Sequence, residues 1–204
     1  MRYIITQKYT NDHKEMFDLV SPINQAYAEK AGFEYIANGE TLCQTRQIWW
    51  EKIAWLIKLL STLEEGAMVV YEDCDAINIS GDLKTALHSG FEYGMVQLRG
   101  GAGGEQLLKW YNAGVIIMIN TPDVREFLQR VWDRADDTDE SSINKEIKSL
   151  NNTIGNSKPV CSLYTDWNCW SNNERLTKNV CIKSWHGMTY ASKLQSIKDY
   201  ISKK

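Results

Sequence analysis

Positive charge is not in excess in this chain. Its 23 Lys and Arg are outnumbered by 26 Asp and Glu, and no stretch interleaves basic with aromatic residues as a nucleic-acid groove would. Nucleic acid is therefore excluded as an expected partner. No apolar run approaches the ~18 residues that a bilayer span requires. The opening Met1-Arg2-Tyr3-Ile4-Ile5-Thr6-Gln7-Lys8 meets charge too early for a signal peptide and reads as a strand. The expectation is a soluble, cytoplasmic protein with no membrane anchor. The five Cys are odd in number and irregularly spaced, with no Cys-x-x-Cys pair, which points to reduced thiols rather than a disulfide framework. The Asn-x-Ser/Thr matches at Asn78 and Asn151 then read as chance, since glycosylation would require secretion. Four glycines in residues 100–104 make a permissive loop, but no Gly-Lys-Ser/Thr follows and no Gly-x-Gly-x-x-Gly opens a helix. A loop over a site or a plain linker suits that stretch better than a phosphate cradle. There is no internal repeat or low-complexity segment.

At 204 residues the chain suits one sizeable α/β domain. Residues 2–6 form a short β-branched run, and Asn11 or Asp12 is placed to cap a helix carrying Met16, Phe17, Leu19 and Val20. Ser21-Pro22 restarts a helix that stops at Gly32, and residues 33–37 read as a second strand. Residues 46–63 carry the widest apolar stripe, from Ile48 to Leu63, and Ala67-Met68-Val69-Val70-Tyr71 is a third strand. That β-α-β-α-β order belongs to the nucleotide-binding half of a Rossmann-like sheet. Later strands are expected at 93–98, 115–119, 159–164 and 180–185. Helices are expected from Thr121-Pro122 and over 142–150, with an amphipathic tail over 192–200. Residues 133–140 read as an acidic, solvated turn.

Directly after the third strand comes Asp73-Cys74-Asp75-Ala76. Two carboxylates one residue apart, at the carboxyl end of a buried parallel strand, face the crevice where open α/β sheets bind ligands. Oxygen donors of this kind suit Mg²⁺ or Mn²⁺, and Mg²⁺ is usually held by one or two carboxylates together with substrate phosphates. Phosphate chemistry is the implication. Eight Trp and ten Tyr add candidates for stacking on a nucleobase or a sugar face, although most large aromatics fill cores.

The pieces together resemble a metal-dependent glycosyltransferase of the GT-A fold, most like families 34 and 8. The resemblance rests on Tyr27-Ala28 with Gly32-Phe33, Trp49-Trp50-Glu51-Lys52, Asp73-Cys74-Asp75-Ala76-Ile77, Asn112-Ala113-Gly114-Val115, Asn120-Thr121-Pro122, Arg125-Glu126-Phe127-Leu128 and Trp185-His186-Gly187. It implies an α/β class, with a single GT-A (Rossmann-like) domain and a mixed, mostly parallel sheet flanked by helices. Residues 1–77 would form the nucleotide-binding half, and 78–204 the acceptor side with a C-terminal helix. It implies transfer of a hexose from a nucleotide sugar, a UDP-hexose such as UDP-glucose, to a glycan or glycoprotein acceptor with retention. It also implies Mn²⁺ or Mg²⁺ on Asp73, Asp75 and His186.

By the same resemblance Thr6, Gln7 and Tyr9 lie where the nucleobase is held, with Tyr9 placed to stack on uracil. Arg46, Lys52 and Gly187 join the donor site, and Asn112 faces the donor sugar or acceptor. One departure concerns an Asp-Gln pair common in such sequences. Here Asp139-Glu140-Ser141-Ser142 stands in that stretch, with Glu140 taken as the replacement acid. Were the enzyme inverting, Glu140, Asp139 or Asp166 would supply the base. Family 34 members usually carry an N-terminal membrane helix. Its lack fits a bacterial or virus-encoded enzyme, in the host cytoplasm if viral, or a domain of a longer protein. Two other classes compete: a haloacid-dehalogenase-like Mg²⁺-dependent phosphatase with Asp73 as nucleophile, and a non-catalytic carbohydrate-binding domain.

Overall fold

The structure, a computed structural model, describes residues 1–86, 92–98, 110–134, 138–153, 161–163, 181–185 and 188–203. Strand β1 (Tyr3–Lys8) has parallel partners on both sides, β2 (Glu34–Asn38) and β3 (Met68–Asp73). Helix α1 (Lys14–Ala31) makes the first crossover and α2 (Glu51–Thr62) the second, as parallel pairing demands. After β4 (Ile77–Asn78), β5 (Tyr93–Leu98) and β6 (Trp110–Ile119) extend the sheet, with β6 antiparallel to both β3 and β5. Helices α3 (Pro122–Arg134) and α4 (Asp139–Thr153) follow. Strand β7 (Cys161–Leu163) then joins β5 in parallel, β8 (Ile182–Lys183) pairs with β4 in a separate small sheet, and α5 (Tyr190–Ile201) comes last. The main sheet has the order β2-β1-β3-β6-β5-β7, so one strand in six is reversed. This is the mixed, mostly parallel sheet expected from the sequence.

The two-residue period of the strands buries both faces of this sheet. Ile4, Val69, Tyr71, Ile116 and Met118 face one way, against Ile53, Leu56 and Leu60 of α2 and Val124, Phe127 and Leu128 of α3. Their neighbours Ile5, Val70, Val115 and Ile117 face the other way, with Ala28 of α1 and Phe33. A third cluster seats α5, whose Leu194, Ile197, Tyr200 and Ile201 meet Met16, Val20, Ile77 and Trp185.

Several boundaries differ from the sequence reading: β6 begins at Trp110 rather than at 115, and Asn11 and Asp12 lie in a 3-10 turn before α1 rather than capping it. Helix α1 does not restart at Pro22 but runs through it, although proline cannot bond the carbonyl one turn back. Its buried stripe of Met16, Val20, Asn24 and Ala28 recurs every four residues across that point, and this burial holds the helix together. Gly32 ends it in a left-handed conformation, φ 72°, as expected. The expected helix over 46–63 is instead a 3-10 turn at Ile48–Trp50 followed by α2. The acidic turn is corrected most. Asp139 and Glu140 form the first turn of α4, where a helix favours negative charge, and the Thr138 hydroxyl accepts the Ser141 N–H at 3.0 Å. Asp139 is buried rather than solvated.

Glu72 of β3 is fully buried beneath the Asp-x-Asp turn. It accepts from Asn78 Nδ2 at 2.9 Å on both oxygens and from Asn24 Nδ2 at 3.2 Å, tying α1, β3 and β4 together. Burial pushes its carboxyl from the ordinary 4.5 up to about 8, opposed only in part by Asn78. Between those two values the unfolded chain releases a proton that the folded chain keeps. This group's contribution to stability therefore falls as pH rises through the window, by up to about 1.4 kcal/mol per pH unit. Glu72→Gln should flatten that slope. Urea titrations at the two ends of the window should show the variant gaining on the wild type at the alkaline end, and a constant difference would refute the assignment.

Candidate active site

The chain leaves β1 toward β2 on one side and returns to β3 on the other, so the carboxyl ends of β1 and β3 flank a topological switch point. The parallel register sets Lys8 level with Asp73. A cavity of about 200 Å³ opens there, lined by Lys8, Tyr9, Lys52, Asp73, Asp75 and Lys193 among others.

Lys52, in the first turn of α2, is the hub of the site. Its Nζ lies 3.0 Å from Asp73 Oδ1 and 3.2 Å from Asp139 Oδ2, and it donates to the Ala113 carbonyl at 3.1 Å. Burial pulls the ammonium toward neutrality, but the charges of Asp139 and Asp73 outweigh it and hold the pKa above its ordinary value. Tyr71 donates its hydroxyl to Asp73 Oδ1 at 2.9 Å, and burial followed by the Asp73 charge keeps that phenol protonated. One Asp73 oxygen thus has both a cation and a hydroxyl on it.

Asp75, 3% exposed, is paired with Lys193 of α5. On the opposite wall Lys8 pairs with Glu51 at 3.3 Å, both nearly buried, and donates to the Tyr9 and Glu40 carbonyls at 2.9 and 2.6 Å. Glu51 in turn accepts the Leu42 and Cys43 N–H groups at 2.9 and 2.8 Å. This buried pair shapes the segment between β2 and α2 that borders the cavity. Burial lowers the Lys8 pKa against the pull of Glu51.

The residues named from sequence separate into those the cavity gathers and those it does not. Asp73, Asp75, Lys52 and Tyr9 line it. The Tyr9 ring stacks on Phe17, 4.0 Å between centroids, and a side chain on Gly39 would collide with it. Asn112 lies on β6, where its Oδ1 accepts the Gly114 N–H at 2.9 Å and its Nδ2 donates to Glu140 at 3.2 Å. Glu140 also accepts the Ala113 N–H at 3.2 Å, so it orients the Asn112 strand while Asp139 is the acid on Lys52.

Thr6 and Gln7 are corrected. They lie inside β1 with no exposed surface rather than beyond it. Thr6 accepts from Trp55 Nε1 at 2.8 Å and donates to the Ile36 carbonyl at 2.7 Å, while Gln7 donates to the Asp73 carbonyl at 3.1 Å and accepts from Tyr35 at 2.5 Å. Gln7 therefore braces Asp73 through the backbone. Arg46 is corrected too, because its guanidinium stacks on Trp132 at 3.9 Å and donates to the Trp132 carbonyl at 2.6 Å, joining α2's entry to α3. His186, Gly187, Asp166 and residues 100–104 lie outside the described residues. The sequence reading missed Lys8, Glu51 and Lys193. Lys8 had one available signal, a charge ending an apolar strand, and Lys193 had another, a position beside the docking face of the tail.

No family model matches the sequence, and no curated protein matches it. Solved structures do. A glycosyltransferase involved in the glycosylation of the major capsid of PBCV-1 superposes with a TM-score of 0.72 at 11% identity, covering 98% of this chain and 100% of the other. The galactosyltransferase LgtC, in complex with donor and acceptor sugar analogs, gives 0.63 at 12% identity over 98% and 95%. The glycosyltransferase GlyE of Streptococcus pneumoniae TIGR4 gives 0.59 at 12% over 100% and 64%. The structural neighbours are GT-A-type glycosyltransferases, and this chain has their fold.

Removing the hub's charge leaves Asp73 and the buried Asp139 without their ammonium. Lys52→Met should cost about 3–5 kcal/mol of unfolding free energy. Adding Asp139→Asn should recover part of that loss, giving a coupling above about 0.5 kcal/mol in a double-mutant cycle by denaturant titration. Additive losses would show that the contact carries no coupling.

Proposed function

We propose that this protein is a metal-dependent hexosyltransferase that moves a sugar from a UDP-hexose to a glycan or glycoprotein acceptor with retention of configuration. The observation that carries the reading is the placement of Asp73 and Asp75 together in one cavity at the switch point of a GT-A sheet. The neighbours support it, since one acts in glycosylation of a capsid protein and another is solved with donor and acceptor sugar analogs.

Asp73 and Asp75 offer the carboxylate oxygens that Mn²⁺ or Mg²⁺ prefers. Among the described residues no group of three or more His, Cys, Asp and Glu converges on a metal position. Asp73 and Asp75 would hold the ion as a carboxylate pair with the donor phosphates, the usual arrangement for Mg²⁺. Charge balance favours the ion as well. The described lining holds three lysines and three carboxylates, each lysine paired with a carboxylate, so a diphosphate entering alone would add uncompensated negative charge. When bound, the ion supplies Lewis-acid stabilisation of the departing diphosphate.

The chain's own side chains do the rest. Lys52 and Tyr71 fix the orientation of Asp73, Gln7 braces its backbone, and Asn112 on β6, held by Glu140, would face the donor sugar. Retention is supported by how the nearby acids are held. Asp139 pairs with the Lys52 ammonium and Glu140 accepts two N–H groups, and neither carboxylate lines the cavity. The acceptor hydroxyl then attacks from the side of departure and passes its proton to a donor phosphate oxygen.

Thermal-shift screening of nucleotide sugars with and without Mn²⁺ tests the reading. A donor at about 100 times its Kd should add about 2.7 kcal/mol of stability, and only with the metal present. Asp73→Asn should abolish that increment and the release of nucleoside diphosphate. Release of inorganic phosphate from simple phosphoesters would favour a phosphatase instead.

A further inference from the structure

We infer that Lys193 is a built-in competitor for the divalent cation, holding Asp75 in the metal-free protein and leaving it when the ion binds. The inference rests on the metal-dependent reading above and adds a control to the same site. Asp75 is 3% exposed, and its carboxylate is reached from α5 by the Lys193 ammonium, which lines the cavity beside it. A divalent ion on that carboxylate and an ammonium in contact with it are like charges in a poorly hydrated site, so the two occupants exclude one another.

Two features show that the pair is not simply how α5 is attached. The helix is seated by Leu194, Ile197, Tyr200 and Ile201 and by the Lys198–Glu15 pair at 2.8 Å, contacts that do not use the Asp75 carboxylate. Lys193 is also only the fourth residue of α5, near the amino end where the helix dipole disfavours a cation. A lysine there runs against the helix's own preference and is explained by the carboxylate it meets. Lys52 differs, being held by Asp73, Asp139 and the Ala113 carbonyl together. Of the two Asp-x-Asp lysines, Lys193 is therefore the exchangeable one.

Apparent metal affinity is reduced by the fraction of molecules in which the pair is open, so a pair closed nine times in ten weakens binding about tenfold. The test is Mn²⁺ binding by calorimetry to the protein without any nucleotide, comparing wild type with Lys193→Gln and Lys193→Arg. Lys193→Gln should bind Mn²⁺ at least about tenfold tighter, yet melt lower in chelator, because Asp75 has lost its ammonium. Lys193→Arg should stay near the wild-type affinity, and Lys193→Met replaces the Gln variant if that one does not fold. Equal or weaker Mn²⁺ binding by Lys193→Gln overturns the competition alone. Absence of Mn²⁺ binding in every protein overturns the metal reading and the competition with it.

Discussion

The Lys52 ammonium is the contact on which the site depends. It joins four elements that are distant in sequence: its own helix α2, Asp73 at the end of β3, the Ala113 carbonyl of β6 and Asp139 at the start of α4. Two of these belong to the first crossover units and two to the later part of the chain. A buried lysine keeps its charge only where the surrounding anions outweigh desolvation, and here the charges of Asp139 and Asp73 together do so. The charge on Lys52 and the placement of Asp139 are therefore one constraint. It fixes where α4 begins relative to the strand that carries the Asp-x-Asp pair.

Around this hub the sheet supplies position and the buried polar groups supply orientation. Strand alternation sends Tyr71 to the same face as the α2 side chains, from which its hydroxyl reaches Asp73. Glu72, one residue later, turns to the opposite face and holds Asn24 and Asn78. Successive residues of one strand thus support the two sides of the same turn. Neither support would survive a one-residue slip in register, because such a slip exchanges the two faces.

Much of this was legible in the sequence. The strand order to β3 and the acidic pair at its end rest on local patterns, namely continuous apolar runs, a glycine stop at Gly32 and carboxylates where apolar residues cease. What was misread depends on contacts across the fold. Arg46 has the chemistry of a phosphate ligand, but two tryptophans, Trp50 and Trp132, come together only after α2 and α3 pack, and they take its guanidinium. Thr6 and Gln7 looked available because the strand end was set two residues early. The acidic stretch before α4 looked solvated because nothing local reveals that Lys52 lies opposite Asp139. Its helix-start signals, Thr138 followed by acids, were present and were outweighed by charge density.

The two carboxylates of the acidic pair are chemically identical and structurally unequal. Asp73 ends a strand, and its carboxylate is fixed by a lysine that three acceptors hold. Asp75 lies in the turn beyond and meets Lys193 of α5, a helix seated by its own apolar face. A pair built this way holds its two oxygen donors differently, Asp73 through Lys52 and Tyr71 and Asp75 through Lys193. On the proposed metal-dependent reading, the fixed Asp73 would set where a diphosphate sits, while exchange at Asp75 would set when the site is ready for it. Positioning and readiness are thereby assigned to different residues.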